Sequence, residues 1–143
     1  TEQVMLEFAS QYEFENSVLI QATSPLLSSE DLNKGLELFA DGSCDSVLSV
    51  VRQKRFCWKI DDNDLAIPIN YDYYNRPRRQ SFEGYLVENG AFYITSKKDL
   101  IRTKNRISGR IKVIEMCEES YFEIDEPNDW KIIEAILKEK INK

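Results

Sequence analysis

Histidine is absent from all 143 residues, which removes the commonest general base of enzymes. Any chemistry must therefore use carboxylates, lysine, arginine, tyrosine or a metal ion. Cysteine is scarce and widely spaced, without a Cys-x-x-Cys pair, so neither a zinc site nor a disulfide framework is indicated. We expect buried cytosolic thiols at these positions, which are Cys44, Cys57 and Cys117.

Basic residues are outnumbered, since the sequence contains 25 Asp and Glu but only 19 Lys and Arg, and its formal net charge is −6. This balance argues against a general nucleic-acid binder that relies on neutralising phosphates. The sequence also has no apolar run of membrane-spanning length, and its first residues lack the basic and hydrophobic pattern of a signal peptide. We therefore expect neither nucleic-acid nor membrane partners, and a cytoplasmic location.

The length of 143 residues suits one domain with a sizeable core, spanning residues 1–143. Residues 17–21 contain the aliphatic run of residues 18–20 and predict a strand buried on both faces, and Pro25 forces a turn after it. Ser28 or Ser29 then offers an N-cap for a helix, and residues 45–51 predict a second strand. Strand, helix and strand form one βαβ unit with parallel strands and a right-handed crossover.

The remaining segments complete an α/β pattern around this unit. Residues 2–12 predict an amphipathic helix that packs on the sheet through Val4, Met5, Phe8 and Tyr12. Residues 52–85 mix charged and aromatic side chains and predict a protruding hairpin followed by an extended arm. A strand near residues 91–95, a half-exposed strand at 110–116 and a helix at 129–141 follow.

Polar residues at the end of the first strand are candidate ligand contacts. Gln21, Thr23 and Ser24 lie where the carboxyl end of a strand meets the amino end of a helix, which is the usual ligand crevice of an open α/β sheet. The alternative is an ordinary βα turn with a capping residue.

Two charged clusters complete the list of candidates. Arg76, Arg78 and Arg79 could grip a carboxylate or phosphate, but a solvated basic loop or a nuclear-import patch has the same composition. Glu123 and Asp125 point the same way in an extended segment and could hold Mg²⁺, although such acidic pairs usually only face water.

Taken together, these motifs resemble the CMP-sialic acid synthetases, that is, the N-acylneuraminate cytidylyltransferases. The matching stretches occur in the order of the family and cover essentially the whole chain: residues 19–25, 45–51, 76–80, 88–93 and 122–125. The resemblance implies a three-layer, Rossmann-like nucleotidyltransferase sheet that is mostly parallel but mixed. It also implies that residues 52–85 form a dimerisation arm that reaches towards the partner's active site, and hence a homodimer.

The resemblance further implies a reaction in which the anomeric hydroxyl of a nine-carbon keto-sugar acid attacks the α-phosphorus of CTP. Mg²⁺ neutralises the growing charge, and pyrophosphate leaves. Roles carry over by matching position. The sugar would contact Gln21 and Thr23, and its carboxylate would lie near Arg78. Asn89 and Tyr93 would line the same pocket. The metal would be held by the catalytic Asp125 together with Glu123.

The sequence departs from the family in two places. Glu123 replaces the usual aspartate, so that this side chain is one methylene longer. The glycine-, arginine- and lysine-containing loop that wraps the triphosphate has no match, because the five glycines are dispersed. We therefore expect a carboxyl-terminal portion of a synthetase that cannot turn over CTP alone. The alternatives are a cytidylyltransferase for an eight-carbon keto-sugar acid and a non-catalytic sugar-binding or dimerisation fragment.

Overall fold

The computed structural model describes residues 1–141. Helices and strands follow one another along the chain in the order α1 (Glu2–Gln11), β1 (Asn16–Ile20), α2 (Ser29–Ala40), β2 (Ser46–Gln53), β3 (Trp58–Ile60), β4 (Ala66–Pro68), β5 (Tyr85–Ser96), α3 (Lys97–Thr103), β6 (Ile111–Met116), a 3-10 turn (Glu118–Tyr121) and α4 (Pro127–Ile141). No helix within residues 1–141 is both long and apolar enough to cross a membrane.

Residues 1–141 form a main sheet of four strands in the order β1-β5-β2-β6. Strand β5 is antiparallel to both β1 and β2, whereas β6 is parallel to β2. Strands β1, β2 and β6 therefore run in one direction, and β5 alone opposes them. The predicted α/β class and mixed sheet are confirmed, and β1 and β2 are parallel as expected, with β5 inserted between them.

The expectation that the first strand is buried on both faces is wrong for the part of the chain that the structure describes. Strand β1 lies at the edge of the sheet, and Val18 and Ile20 are 38% and 49% exposed. An aliphatic run does not by itself reveal the position of a strand in a sheet, because that position depends on strand order.

Helix α2 covers one face of the sheet and begins with a capping box. Ser28 Oγ accepts a hydrogen bond from the Asp31 backbone N–H at 3.1 Å, and the Asp31 carboxylate accepts one from the Ser28 N–H. Gly35 lets the helix approach the sheet, since a Cβ atom there would lie 2.6 Å from the ring of Phe92. The core on this face is formed by buried residues that include Val47, Val51, Phe92 and Ile94.

Helices α1 and α3 cover the opposite face, so the main sheet is the middle of three layers. Met5 and Ala9 of α1 pack with Leu100 of α3 and with Leu19 of β1. The predicted contact stripe of α1 is therefore only partly correct: Met5 is buried, but the other three members are 53–68% exposed, namely Val4, Phe8 and Tyr12.

Residues between β2 and β5 form the arm. Strands β3 and β4 pair as an antiparallel hairpin separate from the main sheet, as the sequence predicts. Asp61 Oδ1 accepts hydrogen bonds from the N–H groups of Asn63 and Leu65, which fixes the hairpin turn. An aromatic cluster packs beside it, in which Phe56 contacts the rings of Tyr71 and Phe82 at 4.5 and 4.9 Å between centroids.

The three cysteines differ in their surroundings. Cys44 is buried, as predicted, whereas Cys57 is half-buried and Cys117 is exposed. Cys57 Sγ lies 2.7 Å from the hydroxyl of Tyr85, at the base of the arm. The prediction of buried thiols therefore holds for Cys44 alone.

Candidate active site

The site begins with an irregularity in strand β5. Leu48 of β2 pairs with Tyr93, but Val50 pairs with Glu88, so residues 89–92 of β5 lie opposite the single residue Ser49. The hydroxyl of Ser49 accepts a hydrogen bond from the Phe92 N–H at 3.0 Å and replaces the missing backbone partner. Bulges of this kind redirect side chains and are frequent beside active sites.

Gly90 occupies the centre of this bulge and allows two other segments to meet there. Its φ of +67° lies in the left-handed region that favours glycine. A Cβ atom on Gly90 would overlap Oε1 of Gln21 and would lie 3.2 Å from Oε2 of Glu123. The side chains of Gln21 and Glu123 therefore share the space beside Gly90, at the carboxyl end of β1.

Backbone hydrogen bonds hold these segments together. The Gln21 N–H donates to the carbonyl oxygen of Ala91 at 3.1 Å, which extends the pairing of β1 with β5. The Ile124 N–H donates to the carbonyl oxygen of Thr23 at 2.8 Å, which ties the acidic segment to the turn after β1. Gln21, Thr23 and the acidic segment, which the sequence predicts to lie in one crevice, are therefore neighbours.

The two candidate metal ligands have different environments. Glu123 is half-buried, and Asp125 is exposed. Burial, with the nearby charges of Asp125 and Glu88, raises the pKa of Glu123 above its usual value. Carboxylate oxygens suit Mg²⁺, which needs only one or two of them when substrate phosphates supply further ligands. The donor type therefore fits Mg²⁺, although residues 1–141 contain no cluster of three or more His, Cys, Asp or Glu residues that could hold a metal ion.

Asn89 is buried, and its hydrogen bonds connect strand β5 to the turn after β1 and to the segment that precedes Glu123. It is 1% exposed, and its Nδ2 donates to the carbonyl oxygen of Ser120 at 3.0 Å and approaches Sδ of Met116 at 3.4 Å. The hydroxyl of Ser24 donates to the Asn89 carbonyl oxygen at 3.4 Å. Within the described residues, Oδ1 of Asn89 has no hydrogen-bond partner. The side chain thus links the bulge to the turn that precedes the acidic segment.

Tyr93 is buried on the other face of the sheet, where it packs with Leu48 and Val50. Its hydroxyl donates to Oε1 of Glu88, and the guanidinium of Arg106 stands 4.3 Å from its ring centroid. Burial and the Glu88 hydrogen bond raise the pKa of Tyr93 to about 12. Glu88 begins the matching stretch of residues 88–93 but was not singled out as a site residue, and Arg106 belongs to none of the matching stretches.

Arg78 lies apart from the crevice within one chain. It lines an open, basic cavity of about 570 Å³ on the arm, to which Gln21, Thr23, Asn89 and Glu123 do not contribute. Arg76 is held there by its contact with Phe56, at 4.5 Å from the ring centroid. The sequence indicated the arginines of this cavity but not Lys54 and Arg55. The residues that line this cavity are Lys54, Arg55, Phe56, Arg76, Pro77, Arg78 and Arg79.

The fold resembles that of a cytidylyltransferase. The structure is similar to 4-diphosphocytidyl-2C-methyl-D-erythritol synthase from Anaerococcus prevotii, with a TM-score of 0.69 and 16% identity, over 96% of this chain and 66% of that one. At this level of identity the similarity shows the fold alone. No family model matches the sequence.

Several curated relatives that match the sequence are named N-acylneuraminate cytidylyltransferases. The chain is 41% identical over 118 residues to N-acylneuraminate cytidylyltransferase A of Danio rerio, covering 80% of this chain and 27% of the relative. It is 39% identical to the N-acylneuraminate cytidylyltransferase of Oncorhynchus mykiss, with the same coverage. A Streptococcus agalactiae enzyme of that name is 26% identical over 98% of this chain and 36% of its own length.

The chain is thus homologous to part of the N-acylneuraminate cytidylyltransferases, and the family resemblance found in the sequence is confirmed. It spans about a quarter of the length of the Danio rerio and Oncorhynchus mykiss relatives described above, 27% in each case.

Proposed function

We propose that this chain supplies the sugar-binding part of an N-acylneuraminate cytidylyltransferase. The enzyme would transfer CMP from CTP to the anomeric hydroxyl of a sialic acid or a related nonulosonic acid, with release of pyrophosphate. The observation that carries the proposal is the convergence of Gln21, Gly90 and Glu123 at the carboxyl end of β1, in a chain that is 41% identical to such an enzyme over 118 residues.

In this proposal the turn after β1 orients the sugar. The amide of Gln21 can both donate and accept hydrogen bonds, and the hydroxyl of Thr23 can do the same, so that together they suit a polyhydroxylated ligand. Both residues belong to a turn that is fixed by backbone bonds to Ala91 and Ile124. Such fixed donors and acceptors can hold the anomeric hydroxyl in line with the α-phosphorus without reorganising during the reaction.

Asp125 is the residue that we assign to Mg²⁺, and the resemblance assigns Glu123 to the same ion. Bound Mg²⁺ would neutralise the charge that develops on the phosphoryl oxygens. The exposed position of the Asp125 carboxylate would leave room for triphosphate oxygens and water to supply further ligands to the ion.

We further propose that the arm serves a neighbouring subunit in a homodimer. Trp58, Ile60, Leu65, Ile69 and Tyr74 are all 47–84% exposed on the arm. Exposed aromatic and aliphatic side chains together with arginine are typical of protein interfaces. Arg78 would then meet the sugar carboxylate in the partner's crevice, since the cavity that it lines in its own chain contains none of the crevice residues.

The test is a transferase assay on the complete gene product with CTP and Mg²⁺. One reaction contains N-acetylneuraminic acid, and a parallel reaction contains an eight-carbon keto-sugar acid in its place. The proposal expects CMP transfer to the nine-carbon acid. Transfer to the eight-carbon acid alone would identify the shorter sugar as the substrate. Binding of the sugar acid without any transfer would favour a non-catalytic binding module.

A further inference from the structure

The position of the Glu123 carboxylate indicates that it binds a group other than the metal ion. Its Oε2 atom lies 3.2 Å from the position that a Cβ atom of Gly90 would occupy, and Oε1 of Gln21 lies even closer to the same point. Both side chains thus reach the same small space over the bulge of β5. Asp125 differs from Glu123 in its environment, because its side chain is exposed whereas that of Glu123 is half-buried.

The extra methylene of glutamate explains this reach. Residues 123 and 125 flank Ile124, whose N–H is bound to Thr23 and whose side chain lines an apolar groove beside α4. The backbone is therefore fixed on the carboxyl side of Glu123, and on its amino side the Phe122 N–H donates to the carbonyl oxygen of Glu119 at 3.1 Å. A glutamate there extends about 1.3–1.5 Å farther from the backbone than an aspartate would. This places its carboxylate beside the amide of Gln21, over a residue that has no side chain.

An amide and a carboxylate side by side are complementary to sugar hydroxyls. The carboxylate accepts hydrogen bonds from two hydroxyl groups, and the amide donates one bond and accepts another. A pair of neighbouring hydroxyls can satisfy both groups at once. Hydrogen bonds to a charged acceptor are also about twice as strong as neutral ones, which gives such a pair discriminating power.

We propose that Glu123 acts with Gln21 as a hydroxyl-recognition pair for the sugar acid, and that Asp125 holds the metal without it. This assignment rests on the proposed function, because it gives Glu123 a role at the same site. It makes Glu123 a specificity-determining residue, and it gives Gly90 a role as well, since any side chain there would displace the pair.

The experiment compares three variants of the complete gene product: Glu123→Gln, Asp125→Asn and, as a matched control, Glu126→Gln, which removes one charge from the same segment. Binding of N-acetylneuraminic acid is measured by calorimetry. Binding of Mn²⁺, as a probe of the Mg²⁺ site, is measured by electron paramagnetic resonance in the presence of CTP.

Glu123→Gln is expected to weaken sugar binding about tenfold or more, the loss typical of a charged hydrogen bond, and to leave Mn²⁺ affinity within about twofold. Asp125→Asn is expected to do the reverse, and Glu126→Gln to change neither. The Gly90→Ala variant provides a second test of the pair. Its added Cβ atom should displace Gln21 and Glu123 and so weaken sugar binding without affecting Mn²⁺ affinity.

A fall in Mn²⁺ affinity for Glu123→Gln that matches the fall for Asp125→Asn would overturn the assignment. An equal loss of sugar affinity in Glu126→Gln would also overturn it, since charge alone would then explain the effect. If the wild-type protein binds the sugar through Glu123 but transfers no CMP, the proposed function fails and the hydroxyl pair stands. A wild-type protein that does not bind the sugar refutes both.

Discussion

The N–H of Ile124 donates a hydrogen bond to the carbonyl oxygen of Thr23 at 2.8 Å. This bond joins the acidic segment near the end of the chain to the turn after the first strand of the sheet. It gives Glu123 and Asp125, the residues on either side of Ile124, a fixed position relative to Gln21. The relationship of these segments is therefore set by the backbone, and substitutions of the polar side chains can be interpreted as changes in chemistry.

Asp125→Asn should lower CMP transfer by the complete gene product by about a hundredfold or more, because it removes the carboxylate that we assign to Mg²⁺ and so weakens charge stabilisation in the transition state. The Asp125 side chain is exposed, so the fold should be unaffected. Activity is measured over a range of Mg²⁺ concentrations, with circular dichroism as the control for folding. Near-normal turnover at low Mg²⁺ would remove Asp125 from the metal site.

Arg78→Ala should weaken binding of the sugar acid more than binding of CTP, by about 1.5–3 kcal/mol, the value of a hydrogen bond to a charged group. Arg78 is exposed in a cavity on the arm, so the substitution should not destabilise the fold. Calorimetric titrations with each ligand separately provide the measurement. Equal losses for the two ligands would place Arg78 beside the triphosphate instead.

Mixed dimers test whether Arg78 acts across the subunit interface. Arg78→Ala and Asp125→Asn chains are denatured together in equal amounts and refolded. If Arg78 of the partner subunit completes each crevice, half of the dimers are mixed and each mixed dimer has one intact site, so the mixture should regain about a quarter of wild-type activity. If Arg78 serves its own chain, each mixed dimer contains two defective sites and no activity returns.

Asn89→Leu should destabilise the protein by about 1–3 kcal/mol, because it leaves the buried carbonyl oxygen of Ser120 without the donor that Asn89 supplies. Urea denaturation monitored by fluorescence measures the free energy of unfolding. Asn63→Ala, in the exposed turn of the β3–β4 hairpin, is the matched control and should have little effect. An unchanged stability of Asn89→Leu would show that Asn89 does not fasten the bulge.

The stability of the folded protein should fall in acid as the Asp45 carboxylate becomes protonated. Hydrogen bonds from the Arg110 guanidinium and backbone lower the pKa of this carboxyl from 3.8 to about 2. A depressed pKa in the folded state means that the ionised form is favoured by folding, so its contribution is complete above pH 3.8 and is lost as the pH falls towards 2. Thermal denaturation between pH 5 and pH 2 should show a shallower loss for Asp45→Asn than for the wild type. Parallel profiles would contradict this.

Local features of the fold could be read from the sequence because their causes are local. The turn at Pro25, the helix capped by Ser28 and the hairpin turn at Asp61 each depend on residues within a few positions of one another. The same reasoning placed Gln21 and Thr23 after the end of a strand, whereas the proximity of the acidic segment to them was implied only by the family resemblance.

Features that depend on strand order could not be read in this way. The aliphatic residues of β1 predict burial on both faces, but β5 lies between β1 and β2 and leaves β1 at the edge of the described sheet. The bulge at Gly90 arises from the way that β5 pairs with β2, and the buried position of Asn89 from its contact with Ser120. A polar residue such as Asn89 can bind a ligand or can stabilise the fold through buried hydrogen bonds, and only tertiary contacts distinguish the two roles.

The most direct test of the account is the formation of CMP-sugar by the complete gene product from CTP, Mg²⁺ and N-acetylneuraminic acid, followed by chromatography. We expect CMP-N-acetylneuraminate and pyrophosphate in equal amounts, and loss of both in the Asp125→Asn variant. Failure to form any CMP-sugar from a nonulosonic acid, under conditions in which the protein is folded, would contradict the account.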